Sequence, residues 1–273
     1  MQIEWPEVDI LQAVAPLLPD FSVEVVAEID STNSELMRRA RVGQCAPVLL
    51  VAERQSAGRG RLGRPWHSAV NPDAGASLTF SLGLPLAPAD WSGLSLAVGL
   101  TVAESLDPAH RVPVSLKWPN DLWVDDCKLG GILIETALPN VAGALRYLVI
   151  GIGLNIGTRP SEGLSTAPAW VQQWAPDASA PELLHTLVEP LVRAILRFGE
   201  QGFKPFAAGF AARDALRGRE VRQGQRHVDI VRHQRQHAIV ETAHGMAEAA
   251  PQVSFAPMVR CAVRKGVCGH AIW

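Results

Sequence analysis

No apolar run in the 273-residue chain approaches the ~20 residues a helix needs to cross a bilayer, although 48% of the residues are hydrophobic and the mean hydropathy is +0.10. A soluble protein is expected. The opening MQIEWPEVDILQAVAPLLPDF carries acids and prolines, where a secretory leader has a basic start and an unbroken apolar core, so the cytoplasm is the expected location. Cysteine is scarce. Cys45, Cys127, Cys261 and Cys268 lie far apart, with neither the close pairing of a zinc site nor the density of a disulfide scaffold, which points to reduced thiols and no metal site. An excess of one charge is also missing: the formal net charge is −2. The protein has no global field for a polyanion, and any phosphate site must come from a local cluster of cations. There is no internal repeat and no low-complexity tract.

The length suits one large domain with a small appendage. Residues 32–42 read as a helix, with Thr32 and Glu35 at capping-box spacing and Leu36, Met37 and Ala40 on one face. The apolar run 47–52 reads as a buried strand leading into a basic, glycine-rich segment. A strand over 77–84 and a helix after Asp90 to about 106 follow. Residues 114–135 read as strands broken by Pro119-Asn120-Asp121 and by Asp125-Asp126, both turn-type clusters. Residues 145–156 form another strand-like run, and 183–198 have helical periodicity. Beyond 218 come short strand-like pieces at 220–222 and 238–242, which puts a boundary at Leu216-Arg217-Gly218. Strands dominate the middle without strict alternation with helices, so the expected class is α+β, a mixed β-sheet flanked by helices.

Three segments carry chemistry. Gly58-Arg59-Gly60-Arg61-Leu62-Gly63-Arg64 contains G-x-G-x-x-G, but Arg64-Pro65-Trp66 follows where a dinucleotide fingerprint must open a helix, and the terminal Lys-Ser/Thr of a P-loop is missing. What remains is a loop with three guanidiniums, Arg59, Arg61 and Arg64, and open backbone amides suited to closing over phosphate. An Arg-Gly contact to RNA is the bland rival. It calls for neighbouring aromatics to stack bases, and only Trp66 is close. The second segment runs Lys117-Trp118-Pro119-Asn120-Asp121 and on to Lys128-Leu129-Gly130-Gly131. Here lysines flank a tight turn, and two glycines in an apolar strand let a ligand lie against the backbone. Trp118 is read as core and Lys128 as functional. The third, Gly151-Ile152-Gly153-Leu154-Asn155-Ile156-Gly157, is a glycine-laced strand ending in an isolated Asn.

Taken together with Ser31-Thr32-Asn33 and Glu53-Arg54-Gln55-Ser56-Ala57-Gly58, these motifs resemble the bacterial biotin protein ligases that act on acetyl-CoA carboxylase. GRGRLGRPW and KWPNDLWVDDCKLGGILIE are specific in combination, and the resemblance covers residues 28–157. It implies a catalytic core shared with lipoate ligases over residues 1–216 and a small SH3-like β domain over 217–273. It also implies biotin and ATP with Mg²⁺ as substrates, no bound prosthetic group, and the biotin carboxyl carrier protein of acetyl-CoA carboxylase as acceptor. Carried over residue by residue, biotin or biotinyl-AMP contacts fall on Ser31, Thr32, Asn33, Gln55, Arg59, Gly60, Arg61 and Lys128. Nucleotide contacts fall on Asn120, Gly131 and Asn155.

On that reading Lys128 and Arg61 neutralise charge during adenylation, and Asp121 orients or deprotonates the acceptor amine. The rivals within the fold are a lipoate or octanoyl ligase and a non-catalytic biotin sensor. The chain opens directly on the catalytic core, with no helix-turn-helix ahead of it, so neither DNA binding nor membrane binding is expected; a homodimer is left open. The region after 217 is rich in Gln and His where the family's barrel has glycine turns, and the sequence from 259 on has no family counterpart. The loop 58–66 is expected to be mobile without ligand and ordered by biotin or the adenylate, because glycines loosen the chain and clustered arginines repel until an anion arrives. Amide hydrogen exchange should therefore slow across this loop on ligand addition; equal protection in both states would contradict the expectation.

Overall fold

The structure, a computed structural model, describes residues 3–66, 76–139, 145–161, 164, 166–219, 221–223 and 226–228. In chain order the main elements are α1 (Glu7–Val14), β1 (Ser22–Ile29), α2 (Thr32–Arg41), β2 (Val48–Gln55), β3 (Ser77–Pro85), α3 (Leu94–Leu106), β4 (Ser115–Lys117), β5 (Asp121–Val124), β6 (Cys127–Ala137), β7 (Tyr147–Asn155), α4 (Ala180–Gln201), α5 (Ala207–Arg213), β8 (Val221–Gln223) and β9 (Arg226–Val228). Seven strands form one sheet in the order β1-β2-β3-β7-β6-β5-β4. Only β1 and β2 pair in parallel; every other neighbouring pair is antiparallel. The sheet is therefore mixed, as the lack of strict alternation implied.

The two sheet faces differ because side chains alternate along each strand. On β3, Leu78, Phe80, Leu82 and Leu84 enter the main core, and on β7 so do Leu148, Ile150, Ile152 and Leu154. There they meet α3 and the inner face of α4, including Leu187, Leu191 and Ile195, together with Ile10 and Val14 of α1. The opposite face is covered by α2, whose Leu36 and Ala40 pack on Val48, Leu50, Ala137, Tyr147 and Val149.

The first residue of α2 does not cap it. Ser31, in extended conformation with φ −161°, accepts from the Ser34 amide, while Glu35 binds Arg38 and Arg39. The expected Thr32–Glu35 capping box is thus replaced by a Ser31 cap and two ion pairs, which frees the Thr32 hydroxyl for the sheet. The box appears instead at Ser179 and Glu182. With Pro181 in its first turn, α4 starts three residues earlier than its periodicity suggested. Asp90 accepts from the Ser92 amide in a turn, and α3 begins only after Gly93 at φ +86°. Trp118 is half-buried, packed against the edge of the core. Strand β1 and helices α1 and α5 were not expected. Of the short piece at 220–222, Val221 and Arg222 fall in β8, paired with β9, whereas 238–242 and the rest of the expected barrel lie outside the described residues.

Arg213 ties α5 to the sheet. Only 8% exposed, it donates to the carbonyl oxygens of Val114 at 2.9 Å and Asp107 at 3.1 Å and lies 3.7 Å from the buried Asp107 carboxylate. Arg213→Ala would strand that carboxylate away from water and should cost about 3–5 kcal/mol, read as a lowered urea midpoint. A loss under ~1 kcal/mol would show that the pair carries no such penalty.

Candidate functional site

The face under α2 is only half covered by that helix. Its other half is a trough made by a row of cross-strand partners: Ala52 on β2, Thr79 on β3, Gly153 on β7, Gly131 on β6, Asp121 on β5 and Lys117 on β4. No side chain larger than Thr stands along it until the row reaches Asp121. Strand β3 shows the division most plainly, with Leu78, Phe80, Leu82 and Leu84 toward the core and Ser77, Thr79, Ser81 and Gly83 toward this face.

One end is neutral and polar. Gln55 Oε1 accepts from the Thr32 amide at 2.8 Å, and Ser81 Oγ lies 2.7 Å from Thr32 Oγ1 and 2.6 Å from Asn33 Oδ1. Asn33 Nδ2 donates to Glu135 Oε2 at 3.0 Å and to the Leu133 carbonyl at 3.3 Å. Asn33 rests directly on Gly151, where a Cβ would come within 2.1 Å of its Oδ1. Ser31, Thr32, Asn33 and Ser81 are all buried. Arg59 Nη2 donates to Glu135 at 2.8 Å and its Nε to Ser34 Oγ at 2.9 Å.

The other end is charged. Lys128 Nζ lies 2.9 Å from Asp121 Oδ1, and both atoms stand over the bare Cα of Gly131. A β-bulge brings them together: Leu122 pairs with Gly130 but Trp123 with Lys128, so the extra residue Leu129 turns into the core and Lys128 comes round to the face of Gly131. The Lys128 backbone is clamped by 167–169 on one side and by Asn155 Nδ2, which donates to the Lys128 carbonyl at 3.1 Å, on the other. Asn155 Oδ1 is buried without a hydrogen-bond partner among the described residues.

Lys117 Nζ sits 3.9 Å over the Trp123 ring. Burial pushes its pKa down, with Asp121 opposing and Lys128 adding to the fall. Arg61 is lowered chiefly by burial, against the attraction of Asp121 and with the repulsion of Arg64. Its Nη1 faces Asn120 Oδ1 at 3.5 Å, too long and weak to fix it. Asn120 Nδ2 is committed to the Ile132 carbonyl at 2.8 Å, so only its oxygen side faces the trough.

The basic loop spans both ends. It is a narrow turn closed by a bridge between Arg59 and Pro65 and by Gly60 donating to the Arg64 carbonyl at 2.7 Å. It contains a single 3-10 turn at Arg61–Gly63, and the chain leaves it extended, so it opens no dinucleotide-type helix. Its last residue, Trp66, lies on Gly153, where a Cβ would be 2.5 Å from the indole. Arg159 lies 5.4 Å over the same ring and donates to Ser77 Oγ; burial brings its pKa down to about 10.

The structure thus gathers Thr32, Asn33, Gln55, Arg59, Arg61, Asn120, Asp121, Lys128, Gly131 and Asn155 around one trough, with Ser31 as the helix cap and Gly60 in the turn. Ser81, Glu135 and Arg159 were missed. Ser81 was legible in principle: Ser77, Thr79 and Ser81 are polar at every second position. Glu135 and Arg159 have no local signal.

A model of the biotin/lipoate A/B protein ligase family matches residues 25–155. A biotin–[acetyl-CoA-carboxylase] ligase of Paracoccus denitrificans is 31% identical over 72% of this chain and 82% of its own length. The chain belongs to the biotin protein ligase family. The bifunctional ligase/repressor BirA of Escherichia coli is 35% identical over 74% of this chain and 62% of that protein. Against the curated relatives first matched, the chain spans between 51% and 62% of their length. A biotin protein ligase from Aquifex aeolicus, solved with biotin and ATP, superposes with a TM-score of 0.57 at 30% identity, covering 71% of this chain and 78% of that one. Among the described residues no group of three or more His, Cys, Asp or Glu could hold a metal ion, and no helix is long and apolar enough to cross a membrane.

The Trp66–Gly153 contact makes a stability prediction. Gly153→Ala should destabilise by about 1–3 kcal/mol through overpacking, and Trp66→Ala should absorb that cost. A double-mutant cycle on urea midpoints should then show coupling of at least ~1 kcal/mol; additive effects would mean that the ring does not rest there in solution.

Proposed function

We propose that the chain activates biotin with ATP to biotinyl-5′-AMP and transfers the biotinyl group to a lysine of a biotin carboxyl carrier protein. The observation that carries this reading is the trough itself: a neutral hydrogen-bonding end and a cationic end joined by a floor of glycine and small side chains. A cyclic urea with N–H donors and a carbonyl fits the Thr32, Gln55 and Ser81 end. The dithiolane of lipoate would leave those buried polar groups unpaired, and such mismatches cost a site several orders of magnitude in selectivity.

In the first step a carboxylate oxygen of biotin attacks the α-phosphorus of ATP, and the bond to pyrophosphate breaks. The chain's contribution is to hold the two anions together. Lys128, over Gly131, neutralises carboxylate and then phosphate, and Arg61 approaches from the loop side. Asn120 and Asn155 hold the walls of the nucleotide end, and Mg²⁺ belongs to the nucleotide substrate. In the second step the acceptor amine attacks the acyl carbon and AMP leaves. Asp121, freed as Lys128 turns to the phosphate, is placed to orient that amine or take its proton. Residues 1–216 form the catalytic unit on this reading, and 217–273 the separate small β domain.

Incubation with ATP, Mg²⁺, biotin and a biotin-carrier domain should label one carrier lysine; no labelling, alongside clear transfer of lipoate or octanoate, would overturn the proposal. Adenylate formation without transfer would instead make the protein a sensor. Lys128→Gln should slow pyrophosphate release by ten- to a thousand-fold, as expected for about 1.5–4 kcal/mol of lost transition-state stabilisation. Lys128→Arg should be partly active, because a planar fork cannot occupy the place of a point charge without shifting the ligand. Wild-type rates in Lys128→Gln would put the key cation elsewhere, with Lys117 next in line.

A further inference from the structure

The polar end of the trough holds more contacts than protons, and counting them fixes its direction. Asn33 Nδ2 faces two groups that only accept, the Glu135 carboxylate and the Leu133 carbonyl, so the amide has one orientation and its Oδ1 must face Ser81. A carbonyl oxygen accepts only, so the single Ser81 proton is spent on Asn33 across 2.6 Å. The 2.7 Å contact between Ser81 Oγ and Thr32 Oγ1 then requires the Thr32 proton; without it two oxygen lone-pair regions would face each other at that distance. The longer 3.2 Å approach of Thr32 Oγ1 to Gln55 Oε1 loses the competition, and Gln55 keeps the Thr32 amide. With its own proton used, Thr32 Oγ1 can meet a ligand only as an acceptor.

We infer that Glu135 is a positioning residue: anchored by Arg59 at 2.8 Å, it holds the chain Thr32→Ser81→Asn33→Glu135 in one donor-to-acceptor sense, so that the site takes a ligand N–H at Thr32 and rejects ligands that lack one there. This rests on the reading that the trough binds biotin, whose ureido nitrogens supply such N–H groups. Glu135 need not touch the ligand; it acts through Asn33 and Ser81. In Glu135→Gln the new amide can donate to Asn33 Oδ1, Asn33 then turns its nitrogen to Ser81, and the chain reverses, opposed only by the 3.3 Å bond to Leu133. Thr32 would then spend one lone pair on Ser81 and carry a freed proton that only Gln55, at 3.2 Å, is placed to take, which weakens its reception of a ureido N–H.

The test is calorimetric titration of biotin and of its two singly N-methylated ureido derivatives into wild type, Glu135→Gln, Glu135→Asp and Ser81→Ala, with the KM for ATP measured in parallel. Wild type should bind at least one N-methyl derivative ten-fold or more weaker than biotin. Glu135→Gln and Ser81→Ala should bind biotin about ten-fold weaker, one lost hydrogen bond's worth, and lose most of that discrimination, with the ATP KM within about two-fold. Glu135→Asp, which keeps the carboxylate, should retain the discrimination. Wild-type affinity and discrimination in Glu135→Gln would overturn the proposal, as would equal losses toward biotin and ATP, which a merely structural role predicts. If wild type bound no biotin, the functional reading itself would fall and take this inference with it.

Discussion

A sheet that buries one face under α3 and α4 while glycine and small side chains lower part of the other is the constraint on which the rest of this protein depends. Strands alternate, so one sequence must serve both faces at once: Leu, Phe and Ile at one parity to bury against α3 and α4, and at the other apolar residues under α2 that give way to Thr79, Gly131 and Gly153 where the trough runs. Each glycine in the floor removes a side chain that would have packed and adds backbone freedom that folding must restrict, a cost of about 0.5–1 kcal/mol per residue. The deep core on the reverse face, running from Leu78 to Phe198, offsets that cost. The trough is possible because the other side of the same strands is so apolar.

Two of the cations beside the trough are paired within the protein. Lys128 rests on Asp121 with side-chain exposures of 35% and 24%, and Arg59 on Glu135 with 41% and 27%. Pairs this open to water are worth ~0–1 kcal/mol each, enough to organise the side chains but little for an arriving phosphate or carboxylate to displace. Burial at the floor does the opposite for Lys117 and Arg61, making their charged forms less comfortable until an anion shares the site.

Much of this was legible before folding. The sheet class, α2, the glycine positions and the Arg59–Arg61–Lys128 set follow from periodicity, glycine placement and a family resemblance carried by specific motifs. Several failures share a cause. Strand β1 reads as SVEVVAEI, with Glu24 and Glu28 in it, because an edge strand is partly wet and its pattern is diluted. Thr32 was read as a cap because capping boxes are recognised by spacing, and spacing does not say whether a hydroxyl turns to its own helix or to a neighbouring sheet. Glu135 sits in an apolar strand as an ordinary solvent-side acid would; its partners Asn33 and Arg59 are 102 and 76 residues away, a distance no local pattern spans.

The bulge at Leu129 has a consequence for chain length. Lys128 and Gly131 are three residues apart, an odd interval that in a regular strand would set them on opposite faces. The extra residue converts that odd interval into shared orientation, so this stretch is a counted spacer rather than a tolerant loop. Were the same residues to pair without the bulge, the strand would pleat regularly with better ladder hydrogen bonding, and the lysine would turn into the hydrocarbon interior. A locally tidier strand would be a chemically empty one, which makes the irregularity the form in which this segment stores its register.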